Sequence, residues 1–311
     1  MIVVHRGWIE SPRFDLPMFV LSPLAGLVFL GIALSVPAQF AFLVQAAAFY
    51  FVAVPHYIGL RQMGVTPLAG NLDDAASLRR LAGIAQRVLH LAPPPNSGAG
   101  DPRTRALLAA LRRRTAPGRL VYGSTSGVYG DCHGEQVAET RAMNPQSARA
   151  TRRIDAEQRV RHHGRATGTR VNTLRIPGIY ALDRANGTPA TRLQKGTPVL
   201  NAQVDVFTNH IHADDLARAC IAALWRGLPQ RVFNVNDDTQ LKMGDYFDLA
   251  ADILNLPRPP RVARAEAQAQ LTPMMLSFMN ESRRMDNTRM KRELRLRLWY
   301  PTVVEGLVSA S

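Results

Sequence analysis

The pattern of apolar and polar positions divides the chain near residue 60. From Arg61 onward, short apolar runs alternate with segments whose apolar side chains recur at helical spacing, and this alternation is typical of strands followed by amphipathic helices. The spacing predicts strands in GVTPLAGN, RVLHLA, RLVYGS, TRVNTLRIPGIY and RVFNVND. It predicts helices in AASLRRLAGIA, Asp101 to about Arg114, Pro145 to His163, HADDLARACIAALWRG and MGDYFDLAADILNL. Strands that alternate with helices indicate βαβ units and a parallel sheet.

Residues at the ends of these segments support the predicted helices. Asp73 and Asp74 are suited to cap the helix AASLRRLAGIA, and Asp101 followed by Pro102 is a typical helix start. After Leu256 the pattern is purely helical, with a break at PRPPR. No internal repeat is present.

The first 60 residues follow a different pattern, because no charged residue lies between Asp15 and Arg61. Residues 18–36 approach the roughly 20 apolar residues of a membrane-spanning helix, and residues 38–54 would complete a hairpin. A signal peptide is a further hypothesis, although Glu10 weakens it. Two buried strands and a helix would be equally apolar, and a shifted reading frame or a fusion would make the segment foreign. We rank membrane association and a foreign segment equally, above the buried-strand interpretation.

Composition narrows the class of protein. The chain has 311 residues, of which 46% are hydrophobic and 20% charged, so it is an ordinary globular protein and not a disordered or disulfide-rich one. The net charge is +14, and 35 of the 38 basic residues are arginines. These arginines are scattered and not gathered beside aromatics, so we expect no nucleic-acid partner. Cys132 and Cys220 have no spacing that suits a disulfide framework or a zinc site.

Five motifs in order carry a family resemblance. STSGVYGD, PQSARATRRIDAE, LRIPGIYA, NHIHADDLARA and RVFNVNDD resemble those of extended or atypical short-chain dehydrogenase/reductases, the NAD-dependent epimerase/dehydratase-like group, over residues 61–311. The resemblance implies an α/β fold: a Rossmann-like doubly wound parallel sheet with a small, mainly helical C-terminal lobe. It places the NAD(P)-binding domain at 61–240 and the substrate lobe at 241–311, with 181–211 contributing. Residues 1–60 are an atypical apolar segment.

The resemblance also implies catalytic positions. Thr125, with Ser124 beside it, corresponds to the hydroxyl residue that hydrogen-bonds the substrate oxygen. The positions of the family's catalytic Tyr and Lys hold Arg149 and Arg153. An arginine stays protonated and cannot move a proton, but its guanidinium suits a phosphate or carboxylate. We therefore expect an anionic small-molecule substrate near Arg149; the alternative is a solvated basic helix face.

Other side chains near these motifs carry weaker hypotheses. Substitute proton donors are Tyr129, His133 and Tyr180. Three arginines near the C-terminus face either an acidic substrate or water: Arg283, Arg284 and Arg289. The pair His210 and His212 has the spacing of metal ligands on a strand, but the family pattern places it before a helix capped by Asp214 and Asp215, and we predict no metal.

The cofactor implied by the resemblance is NAD or NADP, but the sequence contains only part of the family's cofactor-binding pattern. Residues 1–60 lack the glycine-rich turn that cradles a pyrophosphate. The other cofactor-side positions correspond to the family pattern: Asn71, Leu72, Leu91, Ala92, Arg175, Pro177 and Gly178.

Two functions follow. The first is an NAD(P)-dependent oxidoreductase or epimerase/dehydratase-like enzyme, cytoplasmic and a homodimer, acting on a phosphate- or nucleotide-bearing substrate. The second is a non-catalytic Rossmann-like binding or regulatory protein, associated with a membrane through residues 16–58. Loss of the Tyr/Lys pair and of the glycine turn favours the second, whereas the retained order of motifs favours the first.

Overall fold

A computed structural model of the chain describes residues 2–4, 66–68, 70–183 and 187–308. The hypotheses for residues 16–58, whether membrane spans, signal peptide, buried strands or foreign segment, lie outside these residues. Among the helices in the described ranges, none has both the length and the apolar character needed to cross a membrane.

Strands and short helices alternate along the described chain. The strands are β1 (Ile2–Val4), β2 (Thr66–Leu68), β3 (Arg87–His90), β4 (Arg119–Thr125), β5 (Gln136–Val137), β6 (Arg170–Ile176), β7 (Gly178–Tyr180), β8 (Val199–Leu200), β9 (Phe207–Thr208), β10 (His210–His212), β11 (Arg231–Asn234), β12 (Leu241–Lys242), β13 (Arg261–Val262) and β14 (Arg284–Met285). The α-helices are α1 (Pro102–Leu111), α2 (Ala148–Thr167), α3 (Ala190–Gln194), α4 (Ala213–Arg226), α5 (Met243–Ile253), α6 (Arg264–Gln270), α7 (Pro273–Phe278), α8 (Thr288–Glu293) and α9 (Val303–Val308).

A four-stranded parallel sheet with the order β11-β6-β4-β3 forms the centre. Side chains alternate between its faces. Leu120 and Tyr122 of β4 pack with α1 and α2 on one face, and Val121 packs with α4 on the other. The predicted α/β class with helices on both faces of a parallel sheet is therefore confirmed. Since all four strands run the same way, their carboxyl ends meet at one edge, which we call the carboxyl edge; the opposite one is the amino edge.

A separate apolar core lies beyond this sheet. Tyr180, Leu200, Tyr246, Phe247 and Met279 belong to it, so it combines segments before residue 211 with segments after 241. We expected only helices after Leu256, but the chain also contributes β13, which pairs with β8, and β14, which pairs with β5. These two-residue ladders are too short to leave an alternating pattern in the sequence.

The predicted helix AASLRRLAGIA is wrong in extent. Its only regular structure is a 3-10 turn at Arg79–Leu81. Local side-chain bonds compete with the helix, since Asp74 accepts from the amide of Ala76 at 2.9 Å and Ser77 donates to the carbonyl of Asn71 at 3.0 Å. The next helix is as predicted, because Asp101 accepts from the amide of Thr104 at 3.1 Å and caps α1.

The cap of α4 also differs from the prediction. We expected Asp214 and Asp215 to cap this helix, but His212 is the cap and accepts from the amide of Asp214 at 3.3 Å. Asp215 is fully buried and accepts from the amides of Trp299 and Tyr300 instead. These amides and Arg218, which donates to Oδ1 of Asp215 at 2.6 Å, offset the cost of burying this carboxylate.

Candidate functional site

The hydroxyl pair Ser124 and Thr125 ends β4 at the carboxyl edge. The Ser124 side chain is buried and its hydroxyl donates to Oε1 of Glu157 at 2.5 Å, so it is committed to α2. Thr125 points the opposite way and is half-buried. Its Oγ1 accepts from the amide of Gly127 at 3.4 Å, and a hydroxyl that accepts still has a hydrogen to donate. Of the two, Thr125 is the one available to an incoming oxygen.

Arg153, at the family's Lys position, is folded back beneath β4. Its Nη1 donates to the carbonyl of Gly123 at 2.6 Å and to the hydroxyl of Tyr122 at 3.1 Å. The residue is 7% exposed. Burial raises the pKa of Tyr122 to about 12, although Arg153 acts in the opposite direction. Arg153 therefore holds the end of the strand from below and does not reach out to a ligand.

Arg149, at the family's Tyr position, lies one helical turn before Arg153 and is exposed. Partial desolvation, and next the positive charge of Arg153, hold the pKa of Arg149 below its usual value. It still remains charged at neutral pH. An anion bound here would relieve the repulsion between the two guanidinium groups. Chemically, Arg149 can clamp a phosphate or carboxylate but cannot transfer a proton.

A buried ion pair lies between α2 and β6. Arg175 donates through Nη2 and Nε to Glu157 at 2.9 and 3.2 Å, and both side chains are 3% exposed. The Arg175 guanidinium also lies 4.7 Å from the ring centre of Tyr129. The family pattern predicts Arg175 at the cofactor side, but in the structure its N–H groups donate to Glu157 and to the carbonyl of Glu139. It supports the site from below.

The remaining predicted cofactor positions are spread over several elements. Leu91 is 48% exposed at the end of β3, and its Cδ2 lies where a Cβ on Gly123 would come within 2.8 Å. Glycine at 123 thus lets Leu91 cover the middle of the carboxyl edge. Pro177 and Gly178 follow β6 at the same edge. Asn71 and Leu72 lie in the turn that follows β2; Asn71 is exposed and Leu72 is half-buried. Ala92, which follows Leu91, is half-buried.

A buried chain of polar groups at the end of β3 was missed by the sequence reasoning. The Thr104 hydroxyl donates to Oδ2 of Asp101 at 2.6 Å, so at 2.8 Å it accepts from Nε2 of His90. This order makes Nε2 the protonated nitrogen of the imidazole. Burial lowers the pKa of His90 to about 4, with Asp101 opposing and Arg153 adding to the shift. His90 is therefore neutral at physiological pH. Only the position of a histidine at a strand end could have indicated it.

Arg283 reaches the site from the C-terminal segment. Its Nη1 donates to the carbonyl of Gly130 at 2.8 Å and its Nη2 to the hydroxyl of Ser126 at 3.4 Å, and it pairs with Glu281 at 2.7 Å. Arg283 thus fixes the loop that follows Thr125. The two other arginines of this segment have different partners. Arg284 donates to the carbonyl of Gly134, and Arg289 donates to the carbonyl of Val232.

The three proposed substitute proton donors each have a partner other than Thr125. Tyr129 is buried and donates to Oδ1 of Asn234 at 2.7 Å. Tyr180 donates to the carbonyl of Thr302 at 3.2 Å within the second core. His133 is 84% exposed beside Asp131. Each is satisfied where it lies.

The histidine pair of the metal hypothesis packs against aromatic rings. His210 stacks on Tyr246 with ring centres 4.0 Å apart, and His212 lies 3.7 Å from the ring centre of Tyr300. Among the described residues, no group of three or more His, Cys, Asp and Glu side chains is arranged to hold a metal ion.

The chain is similar to one known protein family and to several solved structures. The model of the NAD dependent epimerase/dehydratase family matches residues 103–236. No curated protein matches the chain. A functionally unknown conserved protein from Silicibacter pomeroyi is 32% identical, with a TM-score of 0.62 over 73% of this chain and 76% of that one.

Two further solved structures share the fold at lower identity. RMD from Pseudomonas aeruginosa, complexed with NADPH, is 18% identical, with a TM-score of 0.63 over 78% of this chain and 86% of that one. A double mutant of DesIV, a dTDP-glucose 4,6-dehydratase from Streptomyces venezuelae with NAD bound, is 21% identical, with a TM-score of 0.62 over 77% and 76% of the two chains.

Proposed function

Because the chain belongs to the NAD-dependent epimerase/dehydratase family, we propose that it is an NAD(P)-dependent oxidoreductase or epimerase/dehydratase-like enzyme. Its substrate in this proposal is an anionic small molecule that carries a phosphate or a nucleotide. The observation that carries the proposal is the carboxyl edge of the sheet, where the half-buried Thr125 hydroxyl, the exposed Arg149 and the apolar Leu91 occupy adjoining strand and helix ends. Ligands of open parallel sheets bind outside this edge.

The residues present fit the nicotinamide half of a dinucleotide. Leu91, Ala92, Pro177 and Gly178 offer apolar or small surfaces at the ends of β3 and β6. Gly123 of β4 lies between these two strand ends, and the absence of a Cβ there leaves room for the side chain of Leu91. NAD(P), when bound, would supply or accept the hydride. The part of the chain that would meet the pyrophosphate lies outside the described residues.

This chain's own residues then divide the remaining work. Thr125 donates its hydroxyl hydrogen to the substrate oxygen and orients the carbon beside it. Arg149 binds the anionic group of the substrate through its guanidinium fork. Arg153 and the Glu157–Arg175 pair hold the end of β4 rigid from below. None of these three arginines moves a proton, so the proton of the reaction belongs to the substrate, to water or to another group.

A specific observation favours the second function, a non-catalytic binding protein. Arg153 donates through Nη1 to the carbonyl of Gly123 and to the hydroxyl of Tyr122, whereas a family Lys at this position would face the cofactor. A protein in which Arg153 stabilises the end of β4 can still bind a ligand at the carboxyl edge, but it lacks the family's proton-transferring pair. This alternative shares the ligand and differs only in turnover.

Titration of the purified full chain with NADH and NADPH, followed by nicotinamide fluorescence, tests the proposal first. We expect saturable binding at micromolar concentrations. No binding up to millimolar concentrations would contradict both the enzyme and the NAD(P)-binding module.

Turnover of candidate sugar nucleotides then separates the two functions. We expect Thr125→Ala to lower turnover at least tenfold, with cofactor binding unchanged. Thr115→Ala, an exposed threonine away from the site, is the matched control. Turnover that survives Thr125→Ala would contradict the assigned role, and cofactor binding without any turnover would favour the binding protein.

A further inference from the structure

The arginines that are scattered in the sequence gather at the amino edge of the sheet, opposite the candidate site. Arg87, Arg119 and Arg170 are the first residues of β3, β4 and β6, and the register places them side by side. Adjacent strands lie about 4.8 Å apart. Desolvation, and next the charges of Arg170 and Arg87, lower the pKa of Arg119. The edge is therefore strongly positive.

A cavity opens beside this row. The chain forms it between the 3-10 turn at Arg79–Leu81 and the segment that follows α1. Its volume is about 490 Å³, and four of its six lining residues are arginines. The lining residues are Arg79, Arg80, Ala82, Ile84, Arg113 and Arg114. Gly83 brings the two walls together, since a Cβ there would lie 3.1 Å from the Cβ of Arg114.

Carboxylates are absent from the chain segments that contain the cavity and the first residues of β3, β4 and β6, whereas Arg231 at the start of β11 pairs with Glu293. No Asp or Glu occurs between Asp74 and Asp101, between Asp101 and Asp131, or between Glu157 and Asp183. Several arginines elsewhere have acidic partners; Arg103, for example, pairs with Asp73 at 2.6 Å. Among the ion pairs of the described ranges, none includes an arginine that lines the cavity. A bias of composition alone would not separate the two charges in this way.

Four guanidinium groups around one cavity repel each other unless an anion lies between them. A guanidinium binds phosphate through two parallel N–H···O bonds, so four of them match a ligand with several linked phosphates better than a single carboxylate. We propose that this cavity binds a linear oligophosphate, either free or as the phosphate chain of a nucleotide. The ligand would bind at the amino edge and leave the carboxyl edge accessible.

The lining of the cavity favours a compact ligand over a nucleic-acid strand. Single-stranded nucleic acid needs an extended groove with aromatic rings for stacking. Trp225 at this edge is exposed, but the guanidinium of Arg87 lies over its ring, 3.8 Å from the ring centre. The cavity itself is lined by no aromatic residue. Its chemistry is that of a phosphate cluster.

Calorimetric titration of the full chain at low salt, with sodium tripolyphosphate, ATP and orthophosphate, tests the proposal. We expect tripolyphosphate to bind at least tenfold more tightly than orthophosphate. The double variant Arg79→Gln/Arg113→Gln should weaken tripolyphosphate binding at least tenfold. The control Arg105→Gln/Arg292→Gln removes the same charge from exposed helix positions, and we expect it to change the affinity less than twofold. The relative affinity of ATP identifies the source of the phosphates.

A melting experiment gives an independent measure. Tripolyphosphate should raise the unfolding temperature of the wild-type chain relative to sodium chloride of equal ionic strength, and this rise should be absent from Arg79→Gln/Arg113→Gln. Binding of NADH or NADPH should be the same in both chains, so a failure here is distinct from a failure at the carboxyl edge. An equal loss in the control variant, or no binding at millimolar tripolyphosphate, would overturn the proposal. So would tighter binding of a single-stranded oligonucleotide with a steep salt dependence, which would assign the edge to nucleic acid.

Discussion

The two edges of the central sheet use charge in opposite ways. At the carboxyl edge, apart from the exposed Arg149, the ionisable groups described above are buried and hydrogen-bonded: Glu157 binds Arg175, and His90 is hydrogen-bonded through Thr104 to Asp101. At the amino edge, Arg87 and Arg170 are exposed and lie next to like charges. The same strands connect both edges, so the difference arises from burial and from the distribution of carboxylates.

This difference separates two kinds of response. Buried groups with shifted pKa values make stability depend on pH, whereas exposed like charges make it depend on salt. We therefore expect the carboxyl edge to control the response of the protein to pH and the amino edge its response to ionic strength.

The largest effect is expected at the buried ion pair. Glu157→Gln removes the charge but keeps an oxygen for the Ser124 hydroxyl, so Arg175 is left as a buried cation without a counterion. Breaking such a pair costs about 3–5 kcal/mol, and urea unfolding should show a loss of this size. Asp252→Asn is the control, because it breaks an exposed pair with Arg258, and we expect no measurable change there. Equal midpoints for Glu157→Gln and the wild-type chain would mean that the pair is not buried.

Asp237, which follows β11 at the carboxyl edge, is expected to oppose stability at neutral pH. Burial raises its pKa to about 8, so the folded chain retains a proton that the unfolded chain releases near pH 3.8. Stability is thereby lost as the pH rises between these values, by up to about 1.4 kcal/mol per pH unit. Asp237→Asn removes this loss and keeps an acceptor for the amide of Thr239. The stability of the variant relative to wild type should rise by about 3 kcal/mol from pH 5 to pH 7; parallel profiles would contradict the buried acid.

His90 gives a pH response of opposite sign. Its folded-state pKa of about 4 lies below the unfolded value of 6.5. Its contribution to stability is complete above pH 6.5 and is lost as the pH falls through 4, by about 3 kcal/mol in total. His90→Gln keeps a donor for Thr104 and should lose less stability than wild type between pH 7 and pH 4.5 in chemical unfolding. His162→Gln, at an exposed position of α2, is the matched control. If both variants follow the wild-type profile, His90 is not the group that titrates.

Features of the fold could be predicted from the sequence where they depend on residues that are close together along the chain. The parallel α/β sheet could be predicted because β3, β4, β6 and β11 each carry a local apolar pattern. The helix predicted in AASLRRLAGIA failed because local side-chain bonds to Asn71 and Asp74 replaced it. Local periodicity does not include that competition.

The partners within the candidate site were hidden for a different reason. Ser124 and Thr125 could be located from their motif, but the acceptor of Ser124 lies 33 residues away at Glu157. The sequence likewise could not show that Arg153 donates to the carbonyl of Gly123. The basic amino edge was missed because the arginines are scattered along the chain, and only the register of β3, β4 and β6 brings them together.

The smallest effect is expected at the amino edge. Strand β6 carries an arginine near each end, so the two edges can be compared on one strand. Arg170→Gln removes one of three like charges in register, and relief of such a cross-strand repulsion stabilises by about 0.2–1 kcal/mol. The gain should appear in urea unfolding at low salt and vanish at high salt, because exposed charges are screened. Arg175→Gln on the same strand should be strongly destabilising at either salt concentration, since it leaves Glu157 buried without its partner. If Arg170→Gln destabilises the protein independently of salt, Arg170 has a partner that binds it, and the two edges do not differ in the way proposed.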